Sequence, residues 1–271
     1  MHKIQQDLST AALTKVIDDN LIARSLSVAK IHQGDVHGPN PLWFMTGQPQ
    51  TGGNGVTRAH FDGQELDTGI KTTLRPFEDH DLPLTWWVGP TSHPERRLRH
   101  ALQTYGFIHN RDRIGIAIDL QNLEAPETAP SALRFEPVED TATFQQWFRL
   151  FKQGFKVPNA AAQHLFDKMS KTGLGPDAVE THYVGWLNGD VVGVSTLFLG
   201  AGVAGLYNLT TQSQAREQGV GTLMTIKTFQ AARERGYRIG TLQTTYPNAL
   251  RMYHRLGFEV YCKISIYQRH R

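Results

Sequence analysis

Between Tyr207 and Thr225 the chain reads YNLTTQSQAREQGVGTLMT: a β-rich run, a polar turn, and then Arg216-Glu217-Gln218-Gly219-Val220-Gly221-Thr222 opening a helical stretch. A helix N-terminus leaves backbone N–H groups unpaired and carries partial positive charge, so it receives phosphate well. Gly219 and Gly221 remove side chains where a pyrophosphate would approach the backbone, and Arg216 adds a fixed positive charge. The same glycines also suit a plain strand-to-helix turn. Two common nucleotide patterns are excluded. No Lys-Ser/Thr pair directly follows the glycines, which removes a P-loop, and Met224 stands where G-x-G-x-x-G needs its third glycine. The ligand expected here is a pyrophosphate handled mainly by backbone.

Some 30 residues further on stands Tyr253-His254-Arg255-Leu256-Gly257-Phe258. R-x-x-G-x-G after a strand, followed by this Y-x-x-L-G-F junction, resembles the GNAT superfamily of acyl-CoA-dependent N-acetyltransferases over about residues 132–268. The wider chain is similar to bacterial tandem-GNAT proteins, whose degenerate first half carries a Trp-rich strand such as LPLTWWVGP (Leu82–Pro90). The resemblance implies a mixed α/β (α+β) fold of two GNAT-like halves, each a twisted, mixed and mainly antiparallel sheet flanked by helices. It implies acetyl-CoA as cosubstrate and a small-molecule or peptide amine as acceptor.

Carried over position by position, the resemblance gives Leu209, seven residues before Arg216, the backbone N–H that meets the thioester carbonyl. Thr210 and Thr211 fall where the pantetheine amides run, and Arg216, Glu217, Gln218, Gly219, Val220, Gly221 and Thr222 wrap the pyrophosphate. Tyr253 matches the tyrosine proposed to protonate the departing thiolate. A phenol near pKa ~10 is protonated at pH 7, and the mismatch with a thiol near ~8.5 costs roughly 2 kcal/mol. The other reading of Tyr253 is a core tyrosine, because Ala249, Tyr253 and Leu256 share a helical face. Two family positions depart from the pattern: Tyr246 stands where an Asn is usual, and Ser213 where a Pro is usual. The attacking amine must lose a proton, and a general base is expected. His182, at the start of a central strand, is the economical candidate, although a strand histidine is also a packing residue. A non-catalytic acyl-CoA-binding or regulatory module is the alternative function.

Those groups need elements to hold them. Phe144, Trp147, Phe148, Phe151 and Phe155 recur on one helical face, and a second helix is expected over about Ala160–Thr172. Strands are expected at Thr181–Leu187, Val191–Leu199 and Ala204–Thr210, then a helix at Gly219–Arg235, a strand at Arg238–Thr244, a helix at Asn248–Leu256 and a strand pair at Phe258–Tyr267. Val191–Ala215 carries no charge over 25 residues, but its glycines make it two buried strands rather than a membrane span. Leu102–Leu120 repeats the helix, Gly-Phe, strand order of Met252–Tyr267 at an offset of 151, which suggests a duplicated domain. The expected domains are 1–120 and 132–271, joined by a Pro- and Ala-rich linker at 121–131.

The 271 residues carry a formal net charge of +3, which splits as −3 over residues 1–130 and +6 over 131–271. A basic second half suits a polyanion such as acetyl-CoA, without the dense Lys/Arg stripe expected of a nucleic-acid binder. In the first half, Asp62, Glu65 and Asp67 stand opposite the pyrophosphate loop, where carboxylates would oppose phosphate. One cysteine, Cys262, excludes an intrachain disulfide and a Cys-based metal cluster, and no metal is expected. With an N-terminus that lacks the basic-then-apolar order of a signal peptide, the expected location is cytoplasmic, with no membrane partner. A monomer or homodimer is expected.

Overall fold

The computed structural model describes residues 3–31, 33–47, 53–62, 65–124, 133–174 and 178–270. The first elements in chain order are α1 (Thr10–Ile31), β1 (Asp35–His37), β2 (Leu42–Met45), β3 (Asn54–Thr57), α2 (Leu66–Asp79), β4 (Leu84–Val88), α3 (Glu95–Thr104) and β5 (Ile108–Asp119). There follow β6 (Arg134–Pro137), α4 (Thr141–Gly154), α5 (Asn159–Gly173), β7 (Glu180–Leu187), β8 (Asp190–Gly200) and β9 (Val203–Thr211). The last are α6 (Val220–Glu234), β10 (Ile239–Thr244), α7 (Pro247–Arg255) and β11 (Glu259–Arg269).

The chain divides into two compact units, neither of them one continuous stretch. Unit N comprises Ser9–Ile116, Gln243–Tyr246 and Val260–Arg271; unit C comprises Met1–Leu8, Ala117–Leu242 and Pro247–Glu259. The units therefore exchange their ends relative to the contiguous halves read from the sequence. Of the expected linker, Gln121 and Asn122 finish a 3₁₀ turn that starts at Leu120, and 125–131 lie outside the described residues.

In unit N the strand order is β1-β2-β3-β4-β11-β5. β1, β2 and β3 pair antiparallel, β3 and β4 parallel, and β4 and β11 antiparallel. The parallel step requires a crossover, and α2 supplies it. Leu66, Ile70, Thr73, Leu74 and Phe77 form the buried stripe of α2, and they share a core with Val56, Trp86, Leu98, Leu102 and Phe107. Trp86 is the core member of the Trp pair, while half-buried Trp87 stacks on Phe44.

In unit C the end of β5 is followed by β10, β9, β8, β7 and β6. β9 and β10 are parallel, with α6 as crossover; β6 to β9 are antiparallel. The uncharged stretch resolves into a hairpin, as its glycines predict: Ala201 and Gly202, both at positive φ, form the two-residue turn between Gly200 and Val203. β8 is buried from Val191 to Phe198 because α4 and α6 both pack on it, so it reads as an apolar run without alternation. No helix among the described residues is long and apolar enough to cross a membrane. α4 starts where Asp140 accepts from the Thr143 N–H at 2.8 Å, and it buries Phe144, Trp147, Phe148 and Phe151 of the face read from the spacing, whereas Phe155 caps the helix and is exposed. The strand pair expected over Phe258–Tyr267 is instead one strand, β11; no turn residue interrupts EVYCKISIYQR.

Candidate active site

Three pieces of unit C bear on the expected chemistry: a bulge in β9, the loop into α6, and the end of α7.

The β8–β9 ladder pairs Val194 with Thr210 and resumes at Thr196 with Tyr207, so Asn208 and Leu209 together oppose the single residue Ser195. This is a β-bulge, and Asn208 stands in it at φ +54°. Leu209, singled out in the sequence for its backbone N–H, is thus the second bulge residue. Thr210 is buried beyond it, and its methyl lies where any side chain at Gly154, the last residue of α4, would collide.

After β9 the chain makes a short 3₁₀ turn, Ser213–Ala215, and enters α6 at Val220. Glu217 (φ +64°) and Gly219 (φ +79°) both have left-handed backbones, Gly219 as the N-cap of α6. With Gly219 as N-cap, the first backbone N–H groups of α6 lack intrahelical partners, the arrangement that receives anions at helix starts. Arg216 is exposed, with its Nε 3.4 Å from the carbonyl oxygen of Thr211. Gln218 donates to the Gln214 carbonyl at 2.9 Å, which ties the loop across itself. The two motif glycines differ in kind. Gly219 is required by its φ. Gly221 is not: a Cβ there would stand 3.4 Å from Thr211 Oγ1 and 3.6 Å from Met252 Sδ, close but tolerable contacts. The protein's own packing does not demand a glycine at 221, which suits a residue kept small for a ligand. Val220 is buried and Thr222 half-buried in the first turn, where backbone rather than side chains is on offer.

Helix α7 ends in an αL glycine. Gly257 has φ +88°, its N–H donates to the His254 carbonyl at 3.0 Å, and the Phe258 N–H donates to the Tyr253 carbonyl at 3.1 Å. This is a Schellman cap, and its accompanying apolar contact is the edge-on Tyr253–Phe258 ring pair at 5.6 Å. Tyr253 is buried, and loss of hydration pushes its phenol pKa well above the ordinary value, so the proton stays on at neutral pH. Its neighbour Met252 lies against the start of α6, which brings the end of α7 beside the glycine loop. His254 is exposed, with Nδ1 2.9 Å from the Phe258 carbonyl oxygen, and Tyr246 is 69% exposed.

His182 sits differently from a base that meets an incoming amine. It is wholly buried, 4.2 Å from Trp147 and 5.5 Å from Phe144 by ring centroids, with Nδ1 2.8 Å from Thr196 Oγ1. Glu180, two residues earlier, is also buried and accepts from Thr172 Oγ1 at 3.3 Å. Sequence reasoning missed what surrounds His182. Thr196 Oγ1 also accepts from Asn208 Nδ2 at 3.1 Å, and Trp147 Nε1 donates to the Ser195 carbonyl at 3.0 Å. The available signal was Ser195-Thr196, the polar pair inside the apolar run VVGVSTLFL.

Residues 144–258 match the family described as acetyltransferase (GNAT) family. No curated protein matches the chain by sequence. Among solved structures, a GCN5-related N-acetyltransferase from Kribbella flavida superposes with a TM-score of 0.73 at 18% identity, covering 93% of this chain and 95% of that one. A tandem GNAT protein from the clavulanic acid biosynthesis pathway gives 0.62 at 12% identity, with 96% and 94% covered. A GCN5-related N-acetyltransferase from Sphaerobacter thermophilus gives 0.59 at 14%, with 99% and 95% covered. The chain resembles the GNAT acetyltransferases in sequence over residues 144–258 and has their fold over nearly its whole length.

Proposed function

We propose that the protein is an N-acetyltransferase that moves an acetyl group from acetyl-CoA to a primary amine of a small molecule or peptide by direct attack. The observation that carries this reading is the bulge at Asn208-Leu209. It lies seven residues ahead of Arg216, where the family resemblance asks for a backbone N–H turned out of the sheet. Bound acetyl-CoA supplies an activated acyl group whose carbonyl oxygen gains negative charge as an amine adds. The Leu209 N–H is the donor for that oxygen, and a fixed dipole in a dry site stabilises such charge strongly. Arg216 and the N–H groups of Gly219 to Thr222 hold the pyrophosphate, with Thr210 and Thr211 along the pantetheine arm. The new N–C bond forms as the C–S bond breaks; Tyr253 gives its proton to the sulfur, and the proton shed by nitrogen leaves through water.

Burial bears on both partners in the Tyr253 step. It makes the phenol a weaker acid, and it makes a thiolate in the same apolar surroundings a stronger base, so the gap between them does not widen in proportion. His182 is not assigned as base, because a ring enclosed by Trp147, Phe144 and Thr196 does not meet an amine. In this reading residues 132–271 form the acetyl-CoA-binding domain and residues 1–120 its degenerate counterpart.

One observation favours the second reading, an acyl-CoA-binding module without turnover. Tyr253, Gly257 and Phe258 are explained by the Schellman cap alone. The separating experiment is titration calorimetry with acetyl-CoA, followed by release of CoA thiol against a panel of amines. One binding site with thiol release supports transfer. Binding with no release from any amine supports the module, and no binding overturns both.

A further inference from the structure

A left-handed residue other than glycine inside a strand departs from the extended backbone and persists only where its surroundings fix it. Asn208 is such a residue, and its fixing groups lie in a line across three central strands. Its side-chain amide donates to Thr196 Oγ1 at 3.1 Å, and that hydroxyl lies 2.8 Å from His182 Nδ1. Thr196 and His182 are directly paired across β7 and β8, and both are wholly buried. The Thr196 hydroxyl accepts from the Asn208 amide and shares its second hydrogen bond with His182 Nδ1, the imidazole tautomer setting which of the two donates.

Helix α4 completes the arrangement from the same side. The Trp147 ring covers the imidazole, and its Nε1 donates to the carbonyl of Ser195, the residue opposite the bulge. Room for the imidazole is made by Gly173 at the end of α5, where a Cβ would stand 2.2 Å from the ring. Burying a histidine and a threonine hydroxyl in an aromatic core is costly unless they are tied to something. A valine pair at 182 and 196 would serve the sheet alone.

We propose that His182, Thr196 and Trp147 are positioning residues that lock the Asn208-Leu209 bulge, and so aim the Leu209 N–H at the thioester carbonyl. The proposal rests on the acetyl-CoA reading above. It turns His182 from a group that handles protons into one that sets backbone shape.

The test uses the full chain with acetyl-CoA labelled with carbon-13 at the acetyl carbonyl, read by difference infrared spectroscopy, and unlabelled CoA as control. In the wild type the carbonyl band moves to lower frequency on binding. Thr196→Val keeps the shape of the side chain and removes the hydroxyl. Its band returns toward the free position, kcat falls about tenfold or more at unchanged KM for acetyl-CoA, and CoA affinity stays within about twofold. Thr196→Ser restores both band and rate, which a purely steric role for Thr196 would not do. Should Thr196→Val fail to fold, Asn208→Gly keeps a residue at ease with positive φ, cuts the amide contact, and carries the same expectation. A wild-type band position and kcat in the folded variant overturn the proposal while leaving the acetyl-CoA reading intact. Absence of acetyl-CoA binding by the wild type overturns that reading first.

Discussion

The run β3-α2-β4-α3-β5 of unit N and the run β9-α6-β10-α7-β11 of unit C have the same order, and in both the first two strands are parallel. Even the helix endings agree in detail. In α3 the Phe107 N–H reaches the Leu102 carbonyl at 3.0 Å, the Gly106 N–H reaches Gln103 at 3.1 Å, and Gly106 has φ +78°. Leu102 thus holds the place that Tyr253 holds in α7. The cap works with leucine, so the fold does not ask for a phenol. The other differences fall at corresponding points. β2 and β3 pair residue for residue from Leu42–Thr57 to Met45–Asn54, whereas β8 and β9 are bulged. The N-cap of α2 is Glu65 at φ −97°, whereas that of α6 is Gly219 at φ +79°. The first turn of α2 holds Asp67, whose carboxyl is kept below its usual pKa range by hydrogen bonds from Lys71 and Tyr105, so it stays ionised. Glu65 is a second carboxylate beside it, and its backbone N–H is taken by Asp62. The comparison separates what holds the fold, which is present twice, from the features proposed to handle a ligand, which are present once.

The sharpest way to break that contrast is Gly221→Glu. A carboxylate beside bound phosphates costs several kcal/mol, so affinity for acetyl-CoA should fall by about a thousandfold or more. Calorimetry of the folded variant should show no binding at all. Wild-type affinity in the folded variant would overturn the assignment of the Arg216–Thr222 loop, and two equivalent sites in the wild type would contradict the argument from Glu65 and Asp67.

Next in size is Tyr253→Phe, which keeps the Schellman contact and removes only the proton donor. Acid catalysis is worth ~10²–10⁴-fold, and kcat should fall within that range while acetyl-CoA affinity holds. If kcat is unchanged with an amine that proves to be a substrate, Tyr253 is the equivalent of Leu102 and no more.

The smallest effects distinguish the two loop glycines. Gly219→Ala forces a side chain into a left-handed backbone and should lower stability by about 1 kcal/mol in thermal or denaturant unfolding. Gly221→Ala should change stability by no more than about 1 kcal/mol, in either direction, yet weaken acetyl-CoA binding. A Gly221→Ala protein of wild-type affinity would mean that no ligand passes close to that backbone.

Much of unit C was legible because its signals are local. The Phe144 to Phe151 periodicity, the Gly-Ala-Gly turn at 200–202 and the Gly257-Phe258 ending each state a helix face or a backbone conformation within a few residues. The loop from Arg216 to Thr222 was legible for the same reason. What stayed hidden depends on residues far apart in the chain. That Asn208 leaves the regular strand follows from Thr196, His182 and Trp147, which stand 12, 26 and 61 positions away. No periodicity reports that. The run from Phe258 to Tyr267 was read as two strands because nothing in its sequence shows which neighbours it will find, and hence how far it can extend.

The place of β11 has a consequence for the birth of the protein on the ribosome. Val260 to Arg269 lie between β4 and β5, in a unit whose other strands come from the first 116 residues. During synthesis the earlier strands therefore emerge with a gap where their central partner belongs, and backbone groups of β4 wait for residues made about 180 positions later. Closure of such distant pairs is slow, and strand edges left open meanwhile invite pairing with other chains. The order in which the polypeptide is made is thus not the order in which its first unit is completed: that unit closes only as the last strand arrives.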